Sequence, residues 1–330
     1  MNKTVFFQLK TTGGFTLLEL LLVVFILSTI AAMTASFVNN ADEQFRYEET
    51  QRHLLNIRRA IIGDFDTSYH GERLLSGFVV ENGALPDTIQ ALTQRLGGFD
   101  VYGLKDPLFD PTPDALEGFN NGGEITLTGS SERLFKGHRG SYLSMQPGSS
   151  EYRDGWGNGA SGDVNFGWSV TATPTDFTAT TLGADGQAGG AGYDSDISDA
   201  IQQSNWSADA AGWQVTVTNR SGSDITGRLR VSLLTYVKRS GLNPGWKRLT
   251  SDSIAALANN ASAVFTFPDA LLAIPTRIPM GQHLLILIQD NDGVPHNSDD
   301  APYVSAGNRV VRTVNWYPHA VRPVVEMVIQ

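Results

Sequence analysis

The sequence predicts an α+β protein: a long N-terminal helix, a mixed helix-and-sheet head, and an all-β region at the C-terminal end. Three observations carry that expectation. No glycine or proline interrupts residues 15–62, turn-forming residues crowd the middle of the chain, and short alternating runs fill its last third. At 330 residues, the chain is long enough for two domains of ordinary size behind an N-terminal segment.

Composition narrows the classes of function. A formal net charge of -10 argues against nucleic acid as a partner, because phosphate binding needs a basic face. The chain has no cysteine, which excludes disulfides, thiolate zinc sites and thiol catalysis together.

The N-terminus bears on the compartment. Residues 1–14, MNKTVFFQLKTTGG, carry Lys3 and Lys10 and no acid, and an apolar run to about Val38 follows with Glu19 as its single charge. About 20 such residues at 1.5 Å each cover the roughly 30 Å hydrocarbon core of a bilayer. The two lysines predict a cytoplasmic N-terminus, with everything after about Asn39 on the far side. A secretory signal peptide is the alternative, but it ends at a small-residue cleavage site. Here Gly13-Gly14 precedes the apolar run.

Gly14 followed by Phe15-Thr16-Leu17-Leu18-Glu19-Leu20 resembles the class III signal of type IV pilins and type II secretion pseudopilins. The resemblance implies a leader peptide, 1–14, cut by prepilin peptidase between Gly14 and Phe15, with methylation of the new terminus at Phe15. It implies that 15–38 is the transmembrane half of a spine helix in the inner membrane, with the C-terminal region periplasmic before incorporation into a periplasmic or extracellular filament. Its partners would be other pilin or pseudopilin subunits and a secretion or pilus assembly platform. Glu19, fifth in the mature chain, would serve assembly. An acid in the bilayer centre costs about 2.5 to 3.5 kcal/mol even on lenient scales, so it marks a function. The new amine at Phe15 of a neighbouring subunit is the partner expected for it.

Beyond the membrane the helix should continue, since Tyr47, Leu54, Ile57 and Ile61 recur at helical spacing among Glu48, Glu49, Arg52 and Arg58. A helix of about 48 residues, roughly 70 Å long, is expected, its outer half packed on the head. Many pilins and major pseudopilins have proline where this chain has Ser36, so their local helix unwinding is not carried over.

Residues 39–206 read as the outer half of the spine with the head, for which the resemblance implies a pilin-like antiparallel sheet. Glu81-Asn82-Gly83-Ala84-Leu85-Pro86-Asp87 looks like the turn after the spine, and Thr88 to Leu96 like a short helix. An insertion follows, with Asp106-Pro107, Asp110-Pro111, Thr112-Pro113 and Asn121-Gly122-Gly123, and is expected as a surface loop. Gly137-His138-Arg139-Gly140-Ser141-Tyr142-Leu143 and Arg153-Asp154-Gly155-Trp156-Gly157-Asn158 are similar to the WRGPYL and DPWGNP motifs of the major pseudopilin, with His138, Ser141, Gly155 and Gly159 as departures.

The run from Thr181 through Leu182-Gly183-Ala184-Asp185-Gly186 to Gly192-Tyr193-Asp194-Ser195-Asp196-Ile197, ending near Asn205-Trp206, looks like the calcium loop of that family. The resemblance implies calcium held by the Leu182 carbonyl and the Asp185, Asp194 and Asp196 side chains, with Asp199 a weaker candidate. The chemistry agrees, because calcium takes about six to eight oxygens and carboxylates beside flexible glycines can fold around it. It is not an EF-hand, since Gln187 and Gly189 stand where acids are needed.

From Trp213 the pattern changes. Trp213 to Thr218, Arg228 to Val237, Ala263 to Phe267, His283 to Gln289, Arg309 to Trp316 and Pro323 to Ile329 are short apolar or alternating runs between turn clusters. They predict an immunoglobulin-like β-sandwich over 207–330. Asp290-Asn291-Asp292-Gly293 with Asp299 and Asp300 reads as a solvated hairpin turn or as a second calcium site.

Catalysis has little to stand on. His53, His70, His138, His283, His296 and His319 fit no metal or catalytic spacing, and no nucleophile elbow or phosphate loop occurs. Two non-enzymatic functions follow. One is a structural subunit of a type II secretion-type pseudopilus or related type IV filament. The other is a minor pilin whose C-terminal sandwich is an adhesin or cargo-binding module.

Overall fold

One helix, Leu17–Ile62, runs for 46 residues without a break. At 1.5 Å per residue it is about 70 Å long. It starts at a capping box: the Thr16 hydroxyl accepts from the Glu19 amide, and the Glu19 carboxylate accepts from the Thr16 amide. It stops at Gly63, whose amide donates to the Arg59 carbonyl at 2.8 Å. The computed structural model describes residues 16–330 except 65–66, 70–71, 115–117, 123, 128–132, 146–147, 161, 240–241 and 269–276. The expected leader 1–14, the Gly14–Phe15 junction, His70 and the side chain of Ser36 lie outside the described residues.

The two halves of the helix differ. Leu17 to Thr34 is exposed on every side. Leu54, Ile57, Ala60, Ile61 and Ile62 are buried, on the apolar stripe that the spacing predicts. They pack with Phe78, Leu92, Trp168, Phe177, Ile201 and Trp206. Phe177 and Ile201 come from a three-stranded antiparallel sheet in the order Ser169–Ala172, Phe177–Thr181, Ile197–Ile201. Between spine and sheet, the Phe78–Asn82 helix is followed by a single 3-10 turn, Ile89–Leu92. That turn is shorter than the expected helix from Thr88 to Leu96. Thr93 folds its hydroxyl back onto the Gln90 carbonyl at 3.0 Å and closes it.

The C-terminal region is built from two sheets that share one core. The smaller has the order Ser262–Thr266, Gln214–Asn219, Val325–Ile329, the last pair parallel. The larger is antiparallel, with Leu242–Thr250, Leu229–Arg239 and Gly281–Gln289 side by side, and Val311–Trp316 beyond. Val215, Val217, Phe265, Met327 and Ile329 face Val231, Leu233, Leu285, Leu287 and Trp316 across the core. The Leu242–Thr250 strand has no counterpart among the sequence expectations; Pro244 and Gly245 are both poor strand formers. Pro244 is tolerated there since the strand is an edge and the register shifts beside it, between Val237 and Arg239.

The insertion differs from expectation. Between its turns, Phe109, Leu127 and Leu134 are buried against Leu234, Tyr236, Trp246, Leu284, Ile286 and Ile288. It is the cover over the outer face of the larger sheet, not a surface loop. Turn residues report where the backbone bends; they carry no information on whether the apolar residues between them are buried. The unbroken apolar run Leu284–Ile288 has the same cause, since a strand covered on both faces has no polar side. Head and C-terminal region are also bonded directly: the Tyr236 hydroxyl donates to Asp100, and Lys238 pairs with Asp87.

Candidate functional site

Three features carry chemistry, and each is positioned by the spine or by a strand end. The first is the start of the spine. Leu17–Thr34 is the stretch, among the described residues, long and apolar enough to cross a membrane. It is compatible with a membrane anchor, and a signal sequence has the same length and composition. Glu19 sits in its first turn, where its Oε2 accepts from the Thr16 amide at 2.9 Å and the Thr16 hydroxyl at 3.1 Å. The carboxylate thus has local donors near the positive end of the helix dipole, without any second chain. Thr16-Leu17-Leu18-Glu19 is a capping-box signature, so this local role was readable in the sequence.

The second feature is a loop anchored to the spine. Asp154 is buried and gathers the 153–158 motif around itself. Its Oδ1 accepts from the amides of Trp156, Gly157 and Asn158 at 3.2, 2.7 and 3.1 Å. Its Oδ2 takes the Asn158 side-chain amide at 2.9 Å and the Thr181 hydroxyl at 2.6 Å. Arg153 does the converse, donating to the carbonyls of Asn158, Gly159 and Ala160 at 2.5, 2.6 and 3.2 Å. The motif docks on the helix at Gly155, whose amide donates to the Thr50 hydroxyl at 2.9 Å. A Cβ at Gly155 would stand 2.2 Å from the Arg46 carbonyl oxygen, so only glycine fits. Asn158 then reaches on to the Gly183 carbonyl at 2.7 Å, tying the acidic loop into the same assembly.

That acidic loop, residues 182–196, joins the last two strands of the head sheet, with Thr181 paired to Ile197 at its base. Tyr193 packs edge-on against Tyr47 of the spine, ring centroids 5.9 Å apart. Gly190 lies so close to the Asp194 carbonyl that a Cβ would stand 2.4 Å from its oxygen, and its φ of +82° also favours glycine. Asp185 accepts from the Gln187 amide at 2.9 Å and Asp196 Oδ2 from the Gly189 amide at 3.0 Å. Asp196 Oδ1 is sealed from solvent with no donor. The donor set is all oxygen, of the kind that suits a hard cation. Asp185, Asp194 and Asp196 stand further apart than 4.8 Å as a trio. Asp199 faces away, paired with Arg58 of the spine at 3.0 Å.

No protein-family model matches the chain, and neither a curated protein nor a solved structure does. The geometry of the molecule itself therefore carries the reading.

The third feature is the 290–300 turn. Asp290, Asp292 and Asp299 are the one set of three acidic side chains, among the described residues, with ligand atoms within 4.8 Å of one another. Of the histidines, His138 is a structural residue. It accepts from the Gly140 amide on Nδ1 at 3.2 Å, so Nε2 carries the proton donated to the Ala91 carbonyl at 2.7 Å, and burial lowers its pKa. The 137–143 segment clasps the Phe78–Asn82 helix, where the Tyr142 hydroxyl donates to Glu81 Oε2 at 2.5 Å and burial raises the Glu81 pKa. His283 bonds the Pro279 carbonyl at 2.8 Å.

Proposed function

We propose that the chain is a structural subunit of a type II secretion-type pseudopilus or a related type IV filament. In this reading prepilin peptidase cuts it between Gly14 and Phe15, and the apolar half of the spine first holds it in the inner membrane. It then packs against the spines of neighbouring subunits. One observation supports this above the others: a single unbroken helix has its outer half buried in a head and its inner half bare on every side. Glu19 attracts the Phe15 amine of the incoming subunit, and the Thr16 cap is its resting partner until then. The pilin-like head is the spine with the Ser169–Ile201 sheet, and the two-sheet C-terminal region, read as an immunoglobulin-like sandwich, decorates the filament. Calcium held by Asp185, Asp194, Asp196 and the Leu182 carbonyl draws the head loop closed; the unpaired, buried Asp196 Oδ1 supports this reading.

The test is photo-crosslinking in cells that make the full chain and its assembly platform. A photoreactive residue is placed singly along Leu17–Thr34. Adducts between copies of the chain are expected, and Glu19→Gln should abolish them while Thr16→Ala should leave most of them. Crosslinks to lipid alone, or copy-to-copy adducts indifferent to Glu19→Gln, would overturn the assembly role.

A further inference from the structure

A cavity of about 350 Å³ lies at the junction of head and C-terminal region. Leu74, Val80 and Phe135 give it an apolar lining, and Gln282 and Asn315, cross-strand partners in the larger sheet, add two side-chain amides. Lys136, at the end of the Leu134–Lys136 strand, lines it as well. An apolar lining with a few polar groups, placed between two regions, is the composition of a small-molecule site.

Lys136 is the group left short of a partner. It is 1% exposed, and its ammonium donates to the Val80 carbonyl at 2.7 Å, one of the last carbonyls of the Phe78–Asn82 helix. That bond uses one of the three N–H donors of an ammonium, and the other two have no acceptor among the described residues. Glu81 is the carboxylate whose charge acts on Lys136, yet it pairs with Arg139 at 3.2 Å and takes the Tyr142 hydroxyl. Buried charges are ordinarily paired, because a lone ammonium out of water is costly. Burial pushes the Lys136 amine down to about 8. His283 is fully buried too, and burial together with the Lys136 charge pushes it down to about 3, so its imidazole is neutral and offers no counter-charge. Gly281 gives the ammonium room: a Cβ there would stand 3.2 Å from Nζ and 3.0 Å from the Val80 carbonyl oxygen. Glu81 and Lys136 are the charged residues of the lining, and with Arg139 on Glu81 the balance is one positive charge.

We propose that this cavity binds a small monocarboxylate with a short apolar tail, its carboxylate on the Lys136 ammonium and its tail against Leu74, Val80 and Phe135. A single unmatched positive charge suits a carboxylate over a phosphate or a dicarboxylate. The leucine, valine and phenylalanine suit a hydrocarbon tail over a sugar. The flexible lysine stem lets the ammonium turn from the Val80 carbonyl to the ligand without backbone movement. This site shares no residue with the start of the spine or the 182–196 loop, and it does not rest on the filament reading.

The experiment is isothermal titration calorimetry of hexanoate into the full chain in detergent micelles, with empty micelles as the blank. Hexanoate should bind wild type saturably, and hexanamide, equal in length and neutral, at least about tenfold more weakly. Lys136→Met removes the charge, keeps an unbranched apolar stem, and should lose the hexanoate heat with an unchanged circular dichroism spectrum. Leu74→Trp, at a half-exposed position of the lining, should lose that heat by filling the cavity while Lys136 stays in place. No saturable binding by wild type, or equal binding by wild type and either folded variant, would overturn the site. Equal affinity for hexanoate and hexanamide would overturn the choice of a carboxylate.

Discussion

The two halves of the Leu17–Ile62 helix share one backbone and meet different surroundings. In the outer half, Leu54, Ile57 and Ile61 are buried by the head, and charged residues face outward. In the inner half, leucines, valines and phenylalanine surround the axis, and none of the described residues covers them. The outer half shows what the head can cover with its own residues. The inner half is an apolar surface that the described residues leave bare, compatible with a membrane anchor or a signal sequence.

Substitutions should separate the halves by magnitude. The largest loss is expected from Ile61→Ala, which empties a fully buried position in the head core and should cost about 2 to 5 kcal/mol in chemical denaturation of the head. Gly155→Ala comes next, at about 1 to 3 kcal/mol, because its new methyl must push the docked motif off the helix. An unchanged denaturation midpoint for this variant would mean that the motif does not seat on the spine.

Calcium should have a smaller effect. The charged loop at 182–196 should gain about 1.4 kcal/mol at free calcium about ten times its dissociation constant. Thermal unfolding with calcium and with chelator should show that gain in wild type, and Asp185→Ala should lack that share of it. Identical calcium gains for the two proteins would remove Asp185 from the ligands. The smallest effect is expected from Leu22→Ala in the bare half, within about 0.5 kcal/mol on head unfolding. A larger loss would mean that the inner half packs on the head after all.

The same contrast governs what could be read in the sequence. The spine was legible because helix continuity depends on local signals, and residues 15–62 contain no breaker. The longer strands of the C-terminal region were legible as apolar or alternating runs, except Leu242–Thr250, where Pro244 speaks against a strand and the edge position tolerates it; the two- and three-residue strands such as Ser207–Asp209, Arg277–Pro279 and Ala301–Pro302 are too short to leave a pattern. The insertion was not legible, since the burial of Phe109, Leu127 and Leu134 is decided by a sheet more than 90 residues further along the chain. At the sites, the acids of both turns could be listed from sequence. Their arrangement could not, because Arg58, Arg230 and Arg248 arrive from distant elements to claim Asp199, Asp290 and Asp300. The Thr16–Glu19 cap was local and readable, and the apolar setting drew attention to the charge instead of its neighbour.

The filament account rests on how the chain begins once it is in the membrane. Intact-mass and peptide mass spectrometry of the membrane-extracted protein measures this directly. The account predicts a chain that starts at Phe15 with a methylated amine, and a Gly14→Ala variant that keeps residues 1–14. A chain still beginning at Met1 in wild type, or one cut after the apolar run as a secretory signal would be, would contradict it.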